Sequence, residues 1–278
     1  MSPSTCVVLV PVGGAVEPVC EHSLAVLEKR GYTVRRVFGY AAIDYGRSAM
    51  ATDALADGFE ELLWCDSDIA FEPDVVEQVR SYGLPFVAAV YAKKNGKDLA
   101  CVFPPERQNV GFGKSGGLCE LRYAGFGFVL THRCLFETIR GHFKLPNCNN
   151  RFDKPVVPYF LPMISTDGST YWYLPEDFAF CERAKQCGFK IMGDTSIILG
   201  HIGKYQFTWR DVSNWSSYQK TISQGTLPPL NPFGLYEGHT VRQLFAEPLA
   251  AHDQSSMHNL SQGSSGGQEI APVLDQPN

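Results

Sequence analysis

Two carboxylates one residue apart, Asp66 and Asp68, follow the apolar run Leu62-Leu63-Trp64-Cys65 and precede Ile69-Ala70-Phe71. Side chains alternate faces along a strand, so acids at i and i+2 point the same way and can share one divalent cation at the strand's C-terminal edge. A bare Asp-x-Asp more often marks a polar turn. Here the acids follow a hydrophobic strand directly, and a helical segment opens behind them at Pro73 with Asp74 in its first turn, a placement that favours the metal reading.

A second acidic pair, Glu176-Asp177, stands behind Pro175 at the start of a helix that runs to Gly188, with Phe178, Cys181 and Ala184 on one stripe. Acids at a helix N-terminus are ordinary, because they complement the macrodipole. The alternative is catalytic: Asp177 or Glu176, kept ionised by the dipole, takes a proton from an incoming hydroxyl. Further on, Ile197-Ile198-Leu199-Gly200-His201 reads as a strand ending in a histidine between glycines. A lone histidine is usually structural, yet an imidazole at a strand end can complete a cation site with Asp66 and Asp68.

The elements that must position these groups follow a βαβ rhythm. Cys6–Val12 is a continuous β-branched run of the kind buried in a parallel sheet, and Gly13-Gly14 ends it. A helix over 17–30 stops at Gly31, a strand follows over 33–38, a second helix covers 46–56, and the next strand carries the two aspartates. Such units build a mostly parallel sheet with ligands gathered at the strands' carboxyl ends. Pro85–Tyr91 reads as another buried strand, and Tyr123–Leu130 as a strand broken by Gly125 and Gly127, a sign of close backbone approach. Gly113-Lys114-Ser115 hints at a phosphate-binding P-loop, but position 108 is Gln where that motif needs Gly, so a flexible loop is the better account. The irregular stretch 141–173 is long for a compact domain and reads as a lid, an acceptor-binding loop or a surface excursion. The aromatics Tyr205, Phe207, Trp209, Trp215 and Tyr218 favour packing over stacking on a sugar. The cluster Lys93-Lys94-Asn95-Gly96-Lys97 reads as a solvated loop.

The 278 residues carry a net charge of −5, which argues against a general nucleic-acid or anionic-membrane surface. Nine cysteines with no C-x-x-C pair fit buried free thiols in a reducing compartment. No stretch of about 18 apolar residues is present, and the expectation is a soluble, cytoplasmic protein without a membrane span.

Taken together, Arg47-Ser48-Ala49 on its helix, Asp66-Ser67-Asp68, Pro175-Glu176-Asp177 and His201 resemble the motifs of GT-A-fold glycosyltransferases of the family 2 type. The resemblance spans roughly residues 5–210 and implies an α/β fold with a Rossmann-like nucleotide-binding mixed sheet flanked by helices. It implies one catalytic domain over 1–245: a nucleotide-sugar half to about 100, an acceptor half to about 210 and a flap over about 205–245; beyond it 246–278, rich in Ser, Gly and Gln with few large apolars, reads by composition as a disordered tail. It further implies that Asp66 and Asp68 hold Mn²⁺ or Mg²⁺ against the diphosphate of a UDP- or GDP-sugar, Asp68 as the direct ligand and Asp66 on the ribose or a metal-bound water, with His201 as the third protein ligand. Pro11, Val12 and Gly13 would border base and ribose, Arg47 and Ser67 would face the nucleotide, and Lys204 would lie near the phosphates. Asp177, with Glu176 second, would be the general base toward a hydroxyl acceptor on a glycan, protein or small molecule. A nucleotidyltransferase is the alternative enzyme, though Gly13–Pro18 lacks the basic residues that such enzymes carry after the first strand. A catalytically silent glycan- or partner-binding module is the alternative of another class.

Overall fold

The apolar run at the N-terminus forms β1 (Cys6–Val12), with all seven side chains buried. Val8 and Val10 face one core with Leu24, Leu27, Val76 and Val79, while Val7 and Leu9 face another with Met50, Trp64 and Phe136. The strand lacks a polar alternation because both of its faces are covered. The computed structural model describes residues 2–212 apart from Gln108 and Lys204. They fall within one unit, Met1–Phe233; the second unit, Gly234–Asn278, most of the expected flap and all of the expected tail lie outside the described residues.

Proline at the first turn opens α1 (Pro18–Lys29), and Gly31, at φ +91°, turns the chain out of it in the left-handed region that favours glycine. Then come β2 (Thr33–Phe38), α2 (Ile43–Ala56) and β3 (Glu61–Cys65). The acids at 66 and 68 lie past β3, in a turn closed by the Ile69 N–H donating to the Asp66 carbonyl (3.1 Å). The strand alternation expected to align them therefore does not apply. After the short β4 (Ile69–Ala70) come α3 (Asp74–Ser81) and β5 (Phe86–Ala89).

The second half departs further from the sequence reading. Tyr123–Leu130 is two strands: β6 (Cys101–Val102) pairs with β8 (Tyr123–Ala124), while β9 (Phe128–His132) lies in the main sheet, as does β7 (Leu118–Leu121). Gly125-Phe126-Gly127 crosses between them. A Cβ on Gly127 would stand 2.4 Å from Tyr91 Oη, so the expected close approach is to protein. Helix α4 (Arg133–Phe143) then occupies the start of the stretch expected to be irregular, and a hairpin of β10 (Met163–Asp167) and β11 (Thr170–Leu174) occupies its end. The chain continues through α5 (Glu176–Gln186), β12 (Ile191–Asp194), β13 (Gly200–Ile202) and β14 (Gln206–Phe207).

The main sheet has the order β2-β1-β3-β9-β5-β12-β7. Strand β9 runs antiparallel between β3 and β5, and β7 is an antiparallel edge, so the sheet is mixed and flanked by helices. This is the α/β class expected. His201 does not leave this sheet: β13 pairs with β4 and β14 in a separate three-stranded sheet, which brings it against the turn at Asp68. No helix among the described residues is long and apolar enough to cross a membrane.

At the sheet edge away from the acids, Arg80 (2% exposed) donates through Nε and Nη2 to Glu61 Oε2 (3.0 and 2.6 Å) and through Nη1 to Tyr32 Oη (2.7 Å). Removing one partner of a buried ion pair strands the other's charge. Glu61→Ala should therefore lower unfolding free energy by about 3–5 kcal/mol in urea titrations, and Glu61→Leu with Arg80→Met should recover most of that loss.

Candidate active site

Arg47 projects from the start of α2 and is 3% exposed. Its Nη2 donates to Asp66 Oδ1 (2.8 Å) and its Nη1 to Glu176 Oε1 (2.6 Å), 129 residues away in sequence, so one guanidinium ties the end of β3 to the start of α5. The guanidinium carbon lies 5.6 Å from the ring centroid of Phe126, itself packed edge-on against Trp64, Phe160 and Phe180. A buried cation is costly unless paired, and the two carboxylates offset that cost. Backbone bonds fix the acids' turn: the Asp66 N–H donates to the Gly127 carbonyl (2.9 Å), and the Ser67 carbonyl accepts from the Glu17 N–H (2.8 Å).

A third acid, Asp177, shares this neighbourhood. Burial pushes its carboxyl up to about 7, the negative charge of Glu176 pushes the same way, and Arg47 opposes both. Its Oδ1 accepts the N–H of Phe178 (2.7 Å). Burial likewise raises Asp66, against the pull of Arg47. For Arg47 burial works downward, but Asp66, Glu176 and Asp177 outweigh it and raise the guanidinium's pKa. One cation among three acids leaves the last carboxylate expensive to ionise.

Asp68 faces the other way. Its Oδ2 accepts from Lys94 Nζ (2.5 Å), and its Oδ1 lies buried, without a hydrogen bond, 3.6 Å from His201 Nε2. His201 Nδ1 stands 2.9 Å from the Ala92 carbonyl, which can only accept, so Nδ1 carries the proton. In the neutral ring, Nε2 then presents its lone pair to Asp68 Oδ1. Two acceptors facing each other across a short gap fit a divalent cation, and the donor set, one carboxylate and one imidazole held by an outer carbonyl, fits Mn²⁺ completed by other oxygens better than Mg²⁺, which favours oxygen ligands throughout. Among the described residues no group of three or more His, Cys, Asp or Glu side chains is arranged to hold a metal, and Asp66, expected as a ligand, gives Oδ1 to Arg47.

At the neighbouring edge Pro11 and Val12 are buried in β1, Gly13 is exposed with open space where a side chain would be, and Phe38, paired with Val12 in register, is 60% exposed. Lys204 lies outside the described residues, as do Trp215 and Tyr218. Phe207 and Trp209 are half-buried, the latter donating through Nε1 to the Ile197 carbonyl (3.3 Å), while Tyr205 stays 59% exposed with its ring edge-on to Phe207. Two site residues escaped the sequence reading. Lys94 sits in the cluster expected to be solvated. Tyr91, whose Oη accepts the Gly127 N–H (3.0 Å) and whose ring meets His201 edge-on, looked like one more strand residue. The nine cysteines are free thiols; the nearest contact among them brings Cys20 and Cys65 to 4.0 Å, beneath the Asp66 turn.

No protein-family model matches the chain, and no curated protein matches it. Among solved structures it is similar to A197 from STIV, at 14% identity over 74% of this chain and 91% of that one, with a TM-score of 0.48. It is also similar to a glycosyltransferase involved in the glycosylation of the major capsid of PBCV-1, at 14% identity, 48% of this chain, 62% of that one and a TM-score of 0.28. A third is GalNAc-T7, solved with UDP, GalNAc and Mn²⁺, at 13% identity, 77% of this chain, 48% of that one and a TM-score of 0.40.

The pKa of Asp177 links the site to stability. Its folded value lies above its unfolded one, so its contribution is fully present below about pH 4 and is lost as pH rises toward about 7. Asp177→Asn should match the wild type in thermal unfolding near pH 4 and exceed it at pH 8, the gap opening between those limits.

Proposed function

We propose that this protein is a glycosyltransferase that moves a sugar from a nucleotide-sugar, UDP- or GDP-linked, to a hydroxyl acceptor. The observation that carries the reading is the division of labour between the adjacent acids of α5. Glu176 is spent on Arg47, whereas Asp177, with its carboxyl raised to about 7, meets the requirement of a general base at neutral pH.

In this reading the acceptor hydroxyl gives its proton to Asp177 as its oxygen bonds to the anomeric carbon. The bond from that carbon to the diphosphate breaks, and the nucleoside diphosphate leaves. Asp68 and His201 would hold Mn²⁺ or Mg²⁺, with Asp66 oriented beside them by Arg47. A cation bound there offsets charge on the departing diphosphate, which is Lewis-acid assistance. The strand end at Pro11 and Val12, with exposed Gly13 beyond it, borders base and ribose, and Ser67 lies on the turn facing the nucleotide. The missing basic residues over Gly13–Pro18 count against a nucleotidyltransferase, and an acid raised toward neutrality counts against a silent binding module, which has no use for it.

Two substitutions separate the roles. Asp68→Ala should abolish Mn²⁺-dependent binding of UDP or GDP in calorimetry; affinity that survives it removes the metal assignment. Asp177→Asn should keep nucleotide binding and slow nucleoside diphosphate release from a panel of nucleotide-sugars by ~10²-fold or more, the scale of a lost general base. Unchanged turnover would take that role from Asp177.

A further inference from the structure

Among the described residues, the hairpin of β10 and β11 leaves one of its faces without a partner. Met163, Trp172 and Leu174 turn inward and pack against the core. Ile164 (66% exposed), Tyr171 (77%) and Tyr173 (63%) stand on the other face with Thr166. The register sets Ile164 opposite Tyr173 and Thr166 opposite Tyr171, so the four side chains form one contiguous patch. A two-stranded hairpin is marginal by itself, and its buried face supplies what stability it has. The outward tyrosines contribute nothing to that core.

Three features identify what the patch receives. Its composition is amphipathic: two phenol rings and a threonine hydroxyl offer apolar area together with hydrogen-bonding groups, which suits the apolar faces and hydroxyls of a pyranose. Its four residues include no Lys or Arg, so a phosphate or an anionic headgroup finds no counter-charge there. Its position is continuous with the chemistry, because β11 runs through Tyr173, Leu174 and Pro175 straight into Glu176-Asp177. Buried Leu174 (1% exposed) anchors the junction, and four residues of chain place Tyr173 within about 14 Å of Asp177.

We propose that the outward face of the β10–β11 hairpin is the acceptor platform, and that the acceptor is a neutral carbohydrate stacked on Tyr171 and Tyr173. The assignment rests on the glycosyltransferase reading and adds the acceptor's chemical class to it.

The test uses the full chain and a panel of neutral methyl hexosides and N-acetylhexosaminides, read by saturation-transfer NMR, with UDP and Mn²⁺ binding followed in parallel by calorimetry. At least one glycoside should receive saturation from the wild type. Tyr171→Ala with Tyr173→Ala should weaken it by ~10-fold or more, the scale of losing two stacking rings, and should leave UDP binding unchanged. Tyr171→Phe with Tyr173→Phe, which keeps the rings, should retain most of the binding. A double alanine variant that still binds UDP and binds glycosides as the wild type does would overturn the platform. So would a nucleotide-competent wild type that takes none of the panel, or a wild-type dimer that the alanine pair turns into monomer, since the face would then serve self-association. Glycoside binding lost with the tyrosines in a protein that binds no nucleotide would sustain the platform and sink the transferase reading instead.

Discussion

One buried guanidinium organises this protein. Arg47 cannot shed its proton, so burying it obliges the fold to bring carboxylates to it, and the chain supplies them from the end of β3 and the start of α5. Phe126, packed with Trp64, Phe160 and Phe180, covers one side of the guanidinium. Once Asp66 and Glu176 are committed, Asp177 is left buried beside the charge of Glu176, and burial first, with that charge second, raises its pKa against the pull of Arg47. Structural need and proton chemistry are thus two aspects of the same contact.

The second organising feature is a division of the two aspartates after β3. A strand would have pointed both acids one way; a turn sends Asp66 to the arginine and Asp68 to Lys94 and His201. The small sheet of β4, β13 and β14 exists at that turn, and its register sets His201 opposite Ile69, one residue past Asp68. The Ile202 N–H donates to the Asp68 carbonyl (2.8 Å), so the pair is held through backbone as well as side chains. Lys94, from a loop packed against Phe207 through Gly96, places an ammonium at the carboxylate oxygen that His201 does not face.

Much of the first half was legible in the sequence, because β1, α1, β2 and β3 are local: period, proline, glycine and apolar run all point to the same elements. The acids 66, 68, 176 and 177 were legible as types in a pattern. Their partners were not. The Arg47–Glu176 contact joins residues 129 apart, and no local signal announces which buried charges meet. The hairpin was hidden by its own composition, since Ser165, Thr166, Asp167, Gly168 and Ser169 read as loop residues while Tyr171 and Tyr173 alternate outward. The strand broken at Gly125 and Gly127 was seen as an approach site, and only the three-dimensional arrangement shows that Tyr91 is what approaches.

The account stands or falls on the proton affinity of one side chain. Carbon-13 NMR of aspartate carboxyls, with the Asp177 signal identified through its Asn variant, reads that affinity directly across pH 3–9. A titration midpoint near 7 is the predicted result. A midpoint near 4, the value of an aspartate in water, would mean that burial and Glu176 do not govern this carboxyl and that the site lacks the base assigned to it.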